Sequence, residues 1–233
     1  MSIFTTLVSS IFPSKCLLCQ MPLMNSEKHC CKICNNALPY IAQSCGKCSS
    51  PLTTTEELCG FCLSTDRHWE ICISPFIYID PLPELIKAFK YQNKTYTIHF
   101  FADSIIAAIN SYNAFTPEFL TYVPSHPLRL IERGYNQSLF LTQSISKKLG
   151  IPYLSLFEKI QFTQQQTKLS KKKRIKEPRN SFRIKKSIRK NIHQKYIVII
   201  DDVVTTGSTS SELAKLLKLA GASRVDVWCI ART

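Results

Sequence analysis

The stretch Tyr196-Ile-Val-Ile-Ile-Asp-Asp-Val-Val-Thr-Thr-Gly-Ser-Thr-Ser210 decides the fold of this chain. Its apolar beginning runs into two adjacent acids and then into hydroxyl residues around one glycine, and an apolar helix face follows. This order predicts a buried parallel strand, a ligand loop at its carboxyl end and the N-terminus of a helix. Backbone N–H groups, hydroxyls and the helix dipole all favour a phosphate in such a loop.

The residue types in this loop suit a sugar phosphate. Gly207 accepts a positive φ and lets the backbone approach an anion. Asp201 and Asp202 come just before the loop, where carboxylates accept hydrogen bonds from ribose hydroxyls or hold a hydrated Mg²⁺. A simpler interpretation is a capped strand-to-helix turn, because Thr209 and Glu212 fit a capping box.

The same segment resembles the PRPP (5-phosphoribosyl-1-diphosphate) loop of type I phosphoribosyltransferases. The resemblance implies PRPP with Mg²⁺ as the ligand. It also implies a set of PRPP-binding residues: Asp201, Asp202, Val203, Val204, Thr205, Thr206, Gly207, Ser208 and Thr209.

Strands alternate with helices through the rest of the chain. Apolar residues recur at helical spacing from Leu82 to Phe89 and from Ile98 to Ile109, and a third helix is expected to end at Gly150. Further strands are expected at 73–80, 119–124, 153–157 and 224–230. This alternation predicts an α/β fold with a doubly wound, mostly parallel sheet. The resemblance of the loop implies that the sheet is of the type I phosphoribosyltransferase kind. Ligands bind such sheets beyond the carboxyl ends of the strands.

Composition sets the class of protein and of partner. The 233 residues, 45% of them hydrophobic, suffice for one α/β domain and a small appendage. A formal net charge of +14 indicates a polyanionic partner or an anionic membrane surface, with a solvated basic surface as the alternative. Since the chain has neither an 18-residue apolar run nor a signal-peptide pattern, we expect a cytoplasmic protein, with peripheral contact at the inner membrane left open.

Four C-x-x-C pairs predict an N-terminal zinc-ribbon module at 1–66. The resemblance of the PRPP-like loop implies that the following domain, at 67–233, is phosphoribosyltransferase-like. Two such pairs close one tetrahedral zinc site, and a reducing compartment favours metal over disulfides. The expected ligands of one or two structural zinc ions are Cys16, Cys19, Cys31, Cys34, Cys45, Cys48, Cys59 and Cys62. Pairing of neighbours closes the shorter loops and is favoured, but interleaved pairing also fits the spacing, and His29 or Cys30 could substitute in the first site. Residues 63–72 read as a linker.

A basic flexible loop is expected at 158–195. Between Gln164 and Lys195 there are 13 lysines and arginines against one glutamate. Three interpretations compete: a solvated loop, a lid over bound pyrophosphate, and a surface that contacts nucleic acid. The candidate DNA-contacting residues are Lys171, Lys172, Lys173, Arg174, Arg179 and Arg183.

The order of these parts resembles the ComF family of ComFC-type competence proteins. The cysteine pairs, the block Glu132-Arg-Gly-Tyr-Asn-Gln137, Asn180-x-Phe182 and the PRPP-like loop carry the resemblance over nearly the whole chain. It implies natural transformation, with single-stranded DNA, a DNA-uptake helicase and an inner-membrane channel as partners. By analogy with type I relatives, pyrophosphate and lid contacts fall on Ser125, His126, Arg133, Gln166 and Arg174. The spacing from Arg174 to Asn180 is longer and more basic than is usual in the family, which leaves the role of Arg174 open.

Three functions remain in competition on sequence grounds. The favoured one is a PRPP-binding competence protein that binds single-stranded DNA and supports its uptake into the cytoplasm. The second is a phosphoribosyltransferase that moves the phosphoribosyl group of PRPP to an unidentified acceptor. The third is an assembly adaptor that docks a partner through the zinc ribbon. The sequence assigns no catalytic residue.

Overall fold

A computed structural model describes residues 14–24, 26–53, 56–91, 95–112, 115–125, 131, 134–159 and 181–233. Its helices are α1 (Lys32–Asn36), α2 (Gly60–Ser64), α3 (Leu82–Tyr91), α4 (Thr95–Ser111), α5 (Gln137–Leu149) and α6 (Ser208–Leu219). Its strands are β1 (Cys72–Ile73), β2 (Phe76–Ile77), β3 (Phe119–Tyr122), β4 (Phe157–Lys159), β5 (Phe182–Ile184), β6 (Tyr196–Val204) and β7 (Arg224–Arg232). A 3₁₀ helix, η1, spans Lys186–Asn191.

The main sheet is parallel, as the sequence predicts. Strands β1 and β2 both pair with β7, and the order continues through β6 to β3. All four of these pairings are parallel. Strands β4 and β5 form a separate antiparallel pair. The fold is therefore α/β with a mostly parallel main sheet, as expected from the alternating strands and helices.

Both faces of the sheet are covered by helices, which explains the unbroken apolar run in β6. Val198 and Ile200 point into a core shared with α3, α4 and α5. Ile197 and Ile199 point into a second core, shared with α6. All four side chains are fully buried. Because successive side chains of a strand face opposite sides, a doubly wound sheet needs apolar residues at every position of a central strand.

Two of the expected strands differ from the structure. The strand expected at 73–80 is split into β1 and β2 at Ser74 and Pro75, because proline has no N–H to donate to a ladder. The strand expected at 153–157 is wrong: Tyr153 makes only a single parallel bridge to Leu120, and the following strand, β4, lies in the antiparallel pair. The range 158–195 therefore starts in β4 and ends after β5 and η1, while residues 160–180 lie outside the described chain.

The zinc-ribbon module shares a core with the sheet. Cys16, Cys30 and Leu38 join the same apolar cluster as Phe76 and Phe100. The carboxylate of Asp103 on α4 accepts from the ammonium groups of Lys28 and Lys148 at 2.5 and 2.6 Å. It also lies 3.0 Å from the His29 ring. The module is thus held to α4 by both apolar packing and a cluster of charges.

Candidate functional site

A cavity of about 380 Å³ lies at the carboxyl ends of β3 and β6. The helices that follow these two strands pack on opposite faces of the sheet, α5 in one core and α6 in the other. The cavity therefore occupies the topological switch point, where open α/β sheets bind their ligands. The residues that line it are Val123, Pro124, Ser125, Gln137, Ser138, Lys159, Phe182, Asp201, Asp202, Val203 and Thr209.

Beside this cavity, the segment 204–209, termed the Thr–Gly loop here, is held by two arginines from its inner side. Arg232 Nη1 donates to the carbonyl of Val204 at 2.7 Å and also to that of Thr205. Arg67 Nη1 donates to the carbonyl of Thr206 at 2.6 Å. In a planar trans peptide the N–H points opposite to the C=O. The N–H groups of residues 205–207 are therefore turned away from the arginines.

The outer side of the Thr–Gly loop is lined with hydroxyls. Thr205, Thr206, Ser208 and Thr209 are exposed, and the Thr206 and Ser208 hydroxyls lie 2.9 Å apart. Gly207 is the N-cap residue of α6 with φ of 76°, a conformation that favours glycine. The capping box is therefore wrong, since α6 starts at Ser208 and its N-cap has no side-chain hydrogen bond.

The two acids at the end of β6 differ in environment. Asp201 is 9% exposed, whereas Asp202 is half-buried. Burial, together with the charge of Asp202, raises the pKa of Asp201 well above its usual range. The backbone N–H of Asp202 donates to Asp201 Oδ1 at 2.9 Å, and that of Val203 donates to Asp202 Oδ1 at 2.7 Å. A cation or hydrogen-bond donor in the cavity would stabilise the ionised form of Asp201.

Sequence reasoning did not assign Lys159 to the site, and it named Phe182 only as part of the Asn180-x-Phe182 motif. Both line the cavity, and the Lys159 ammonium lies 5.4 Å from the centre of the Phe182 ring. Lys159 ends β4, and its approach to the acids depends on the antiparallel β4–β5 pair. No local sequence pattern around Lys159 predicts that it lines the cavity. The Asn180-x-Phe182 motif was the one available signal for Phe182.

Asn136, from the Glu132–Gln137 block, acts as a structural connector. Its side-chain oxygen caps α5 by accepting from the N–H of Leu139 at 3.3 Å. Its side-chain nitrogen donates to the carbonyl of Val123 at 3.1 Å. The cap therefore fixes the start of α5 against the end of β3, and the neighbouring Gln137 and Ser138 reach the cavity.

The remaining predicted residues divide into three groups. Ser125 lines the cavity with the acids, and its role on the pyrophosphate side stays a prediction. Arg183 is exposed, and its Nε donates to the Glu158 carboxylate at 2.7 Å. The others lie outside the described residues: His126, Arg133, Gln166, Lys171, Lys172, Lys173, Arg174 and Arg179.

The cysteines assemble by neighbouring pairs. In each tetrad the four Sγ atoms lie within 4.8 Å of one another, and the tetrads are Cys16/Cys19/Cys31/Cys34 and Cys45/Cys48/Cys59/Cys62. Zinc–sulfur bonds of about 2.3 Å place sulfurs about 3.8 Å apart around a tetrahedral ion. The Sγ atoms of Cys19 and Cys31 are 3.9 Å apart, and those of Cys48 and Cys59 are 3.7 Å apart. Both tetrads therefore fit structural zinc.

The two residues that could have replaced a ligand lie outside the tetrads. His29 interacts with Asp103, 3.0 Å away. Cys30 is buried in the apolar cluster with Phe76 and Phe100 and does not belong to the first tetrad.

Comparison with known proteins agrees with both modules. The double zinc ribbon domain family matches residues 7–63, and the phosphoribosyl transferase domain family matches residues 136–233. Competence protein F of Haemophilus influenzae is 32% identical over 232 residues, covering 96% of this chain and 99% of that protein. The chain belongs to the competence protein F family.

Two further relatives extend this family. DNA utilization protein YhgH of Salmonella typhimurium is 33% identical over 95% of this chain and 98% of its own length. Competence protein ComFC of Streptococcus pneumoniae is 25% identical over 94% of this chain and 100% of its own length. These relatives confirm the resemblance to the ComF family that the cysteine pairs and the PRPP-like loop indicated.

In the described part of the chain, no helix has both the length and the apolar character needed to cross a membrane.

Proposed function

We propose that the chain is a PRPP-binding competence protein that binds single-stranded DNA and supports its uptake into the cytoplasm in natural transformation. The proposed division is a zinc-ribbon module at 1–66 and a phosphoribosyltransferase-like domain at 67–233. Membership of a family that includes competence protein F and DNA utilization protein YhgH supports a role in DNA handling.

The observation that carries PRPP binding is the orientation of the Thr–Gly loop. Three successive carbonyls, of Val204, Thr205 and Thr206, accept from buried arginines on the inner side of the loop. The opposite side of the loop carries exposed hydroxyls at the N-terminus of α6. Outward N–H groups, hydroxyls and a helix dipole together suit the 5′-phosphate of PRPP.

The acids beside the loop supply the complementary half of the site. Asp201 and Asp202 would accept hydrogen bonds from the ribose hydroxyls, and Mg²⁺ would accompany the pyrophosphate of the ligand. Ser125 and Lys159 lie on the other side of the same cavity, where a hydroxyl and an ammonium suit pyrophosphate oxygens. This arrangement would bind a ribose that carries phosphate groups at two positions, and binding would require no proton transfer.

Basic residues exposed on η1, which lies between β5 and the amino end of β6, support contact with single-stranded DNA. η1 follows β5, whose Phe182 lines the cavity, and η1 carries exposed Lys186, Arg189 and Lys190. With a formal net charge of +14, the chain favours a nucleic-acid backbone as partner. Binding of this kind is expected to weaken steeply with salt. A DNA-uptake helicase and an inner-membrane channel are the proposed protein partners, in the cytoplasm or at its membrane face.

The PRPP site is tested by isothermal titration calorimetry of the zinc-loaded chain with PRPP and Mg²⁺. We expect saturable binding that is lost in Thr206→Val/Ser208→Ala, which removes two hydroxyls from the exposed side of the loop and none from the core. Arg189→Met, on exposed η1, serves as the control for PRPP binding. An unchanged affinity in the double variant would overturn the assignment of the phosphate to this loop.

The cavity beside the acids also favours a second function, transfer of the phosphoribosyl group to an unidentified acceptor. The cavity also reaches the Phe182 ring, an aromatic face against which a planar acceptor could pack. Positioning and charge stabilisation would then provide the catalysis. Pyrophosphate release during incubation with a panel of bases would support transfer, and PRPP binding without release across the panel would count against it.

A further inference from the structure

A buried arginine joins the Thr–Gly loop to the second cysteine tetrad. Arg232, near the end of β7, is 2% exposed. Its Nε donates to the carbonyl of Cys48 at 2.9 Å, while its Nη1 donates to the carbonyls of Val204, at 2.7 Å, and Thr205. Its Nη2 lies 3.9 Å from the Cys48 sulfur. One side chain therefore contacts a zinc ligand and the loop backbone together.

A second arginine makes a parallel connection. Arg67 is 3% exposed, and its Nη1 donates to the carbonyl of Thr206 at 2.6 Å. Its guanidinium lies 4.3 Å from the centre of the Phe61 ring, inside the Cys59-x-x-Cys62 turn, and it interacts with the Cys62 side chain. The segment after the second tetrad, expected to be a linker, thus reaches the loop.

An indole ring completes the contact. Trp69 Nε1 donates to the carbonyl of Lys47, within the Cys45-x-x-Cys48 turn, at 3.3 Å. The edge of the same ring faces Gly207 so closely that a Cβ built on Gly207 would lie 2.6 Å from Trp69 Cη2. The loop is therefore held at three carbonyls and at its glycine, all from the side of the second tetrad.

The charges of the two arginines point to the zinc site as their counter-ion. Among the described residues, neither Arg67 nor Arg232 is ion-paired with an aspartate or a glutamate, and Arg232 Nη1 also donates to the main-chain oxygen of Thr233 at 3.2 Å. A buried guanidinium without an opposite charge is strongly unfavourable. Zinc bound by four thiolates carries a formal charge of about −2, which is opposite in sign to the two guanidinium groups. Zinc in this tetrad would therefore stabilise both arginines in the position that caps the loop.

We propose that Arg67 and Arg232 are positioning residues that couple zinc in the second tetrad to the conformation, and hence the ligand affinity, of the Thr–Gly loop. The ligand part of this inference rests on the proposed PRPP site. The first tetrad provides an internal comparison, because it packs on α4 through the His29–Asp103 contact instead. Coupling between two binding sites is reciprocal. Bound PRPP should therefore tighten zinc in the second tetrad by the factor by which zinc tightens PRPP.

The test uses the full chain and measures zinc content, PRPP–Mg²⁺ affinity and hydrogen exchange of the loop. Cys59→Ser removes a ligand of the second tetrad and Cys19→Ser one of the first. Arg67→Met and Arg232→Met cut the connections without replacing a zinc ligand, and Arg67→Lys restores one donor. Lys147→Met, exposed in the last turn of α5, is a surface control. Far-ultraviolet circular dichroism identifies any variant that has lost the fold.

We expect Arg67→Met and Arg232→Met to weaken PRPP binding about tenfold, with zinc content unchanged, because each removes a charged hydrogen bond to a loop carbonyl. Arg67→Lys should recover part of this loss. Cys59→Ser should weaken binding at least as much and speed exchange at 204–208, while Cys19→Ser stays within about twofold of the wild-type protein. PRPP should raise the chelator concentration that strips the second zinc about tenfold, an effect absent in Arg232→Met.

The exchange measurement separates this inference from the proposed function. If the wild-type chain fails to bind PRPP, the proposed ligand is wrong, but faster loop exchange in Cys59→Ser and Arg67→Met would still support the coupling. If PRPP binds and the two arginine variants match the wild-type protein in affinity and in exchange, the coupling is wrong. Equal losses in Cys19→Ser and Cys59→Ser would also overturn it, because the whole ribbon and not the second tetrad would then be responsible.

Discussion

Replacing Gly207 by alanine tests the loop geometry, because it adds one methyl group at a closely packed position with a left-handed backbone. Gly207 has φ of 76°, and the added Cβ would lie 2.6 Å from Trp69 Cη2 and against Arg67 Nη1. A left-handed conformation costs an alanine about 1–2 kcal/mol. The overlap with a packed ring adds about 1–2 kcal/mol more, which is typical of overfilled sites. The strain should therefore total about 2–4 kcal/mol.

The loop can relieve this strain by moving, because its outer side is exposed. Movement would separate the loop carbonyls from Arg67 and Arg232, so the cost appears mainly in ligand affinity. We expect Gly207→Ala to weaken PRPP–Mg²⁺ binding by about thirtyfold to several hundredfold at constant salt, since each 1.4 kcal/mol is about a factor of ten. Calorimetric titration measures the affinity, and thermal unfolding measures any remaining loss of stability.

Gly150→Ala is the matched control. Gly150 ends α5 with φ of 70°, but a Cβ there would meet no atom within 4 Å. The control should therefore lose about 1–2 kcal/mol of stability from conformation alone and keep its PRPP affinity. If Gly207→Ala bound PRPP as tightly as the wild-type protein, the reasoning from loop conformation to phosphate binding would be refuted.

Three further substitutions test other parts of the structure. Burial raises the pKa of Asp201, so the folded protein retains this proton longer than the unfolded chain, and stability falls as pH rises from about 4 toward the raised pKa. Asp201→Asn removes this loss, so the melting temperature of the variant should exceed that of the wild-type protein by an amount that grows with pH. Its PRPP–Mg²⁺ affinity should fall. A difference in melting temperature that does not depend on pH would contradict the assignment. Asp226 is fully buried and accepts hydrogen bonds from Arg224 and from the Tyr196 hydroxyl. Asp226→Asn should therefore lower the free energy of unfolding, measured by urea titration, by about 3 kcal/mol. A change below about 1 kcal/mol would be inconsistent with a buried ion pair. Lys159→Met should weaken PRPP binding about tenfold in calorimetry, with a shallower salt dependence, whereas equal affinity would exclude its ammonium from the site.

The parts of the fold that the sequence predicts are those defined by local patterns. Strand β6, the Thr–Gly loop and α6 follow from one continuous apolar-acid-hydroxyl order, and α5 ends at Gly150 as expected. Neighbouring cysteine pairs meet because their connecting loops are short. Each of these features depends on residues close together in the chain, where spacing and residue type carry the information.

The contacts that sequence reasoning missed depend on distant residues. Arg67 meets Thr206 across 139 positions, and Arg232 meets Cys48 across 184. Neither arginine belongs to a recognisable motif, and Arg67 falls in a stretch expected to be a linker. Lys159 likewise reaches the cavity only because β4 pairs with β5. These placements depend on how the ribbon and the antiparallel pair pack on the sheet. Local sequence periodicity does not predict such packing.

The proposed joining of a PRPP site to DNA handling is tested most directly by fluorescence anisotropy of a labelled single-stranded oligonucleotide. The zinc-loaded chain is titrated at several salt concentrations, with and without PRPP and Mg²⁺. The account predicts binding that weakens with rising salt and whose affinity shifts when PRPP is added, with the shift abolished in Gly207→Ala. Absence of oligonucleotide binding even at low salt would contradict the account and favour a small-molecule phosphoribosyltransferase.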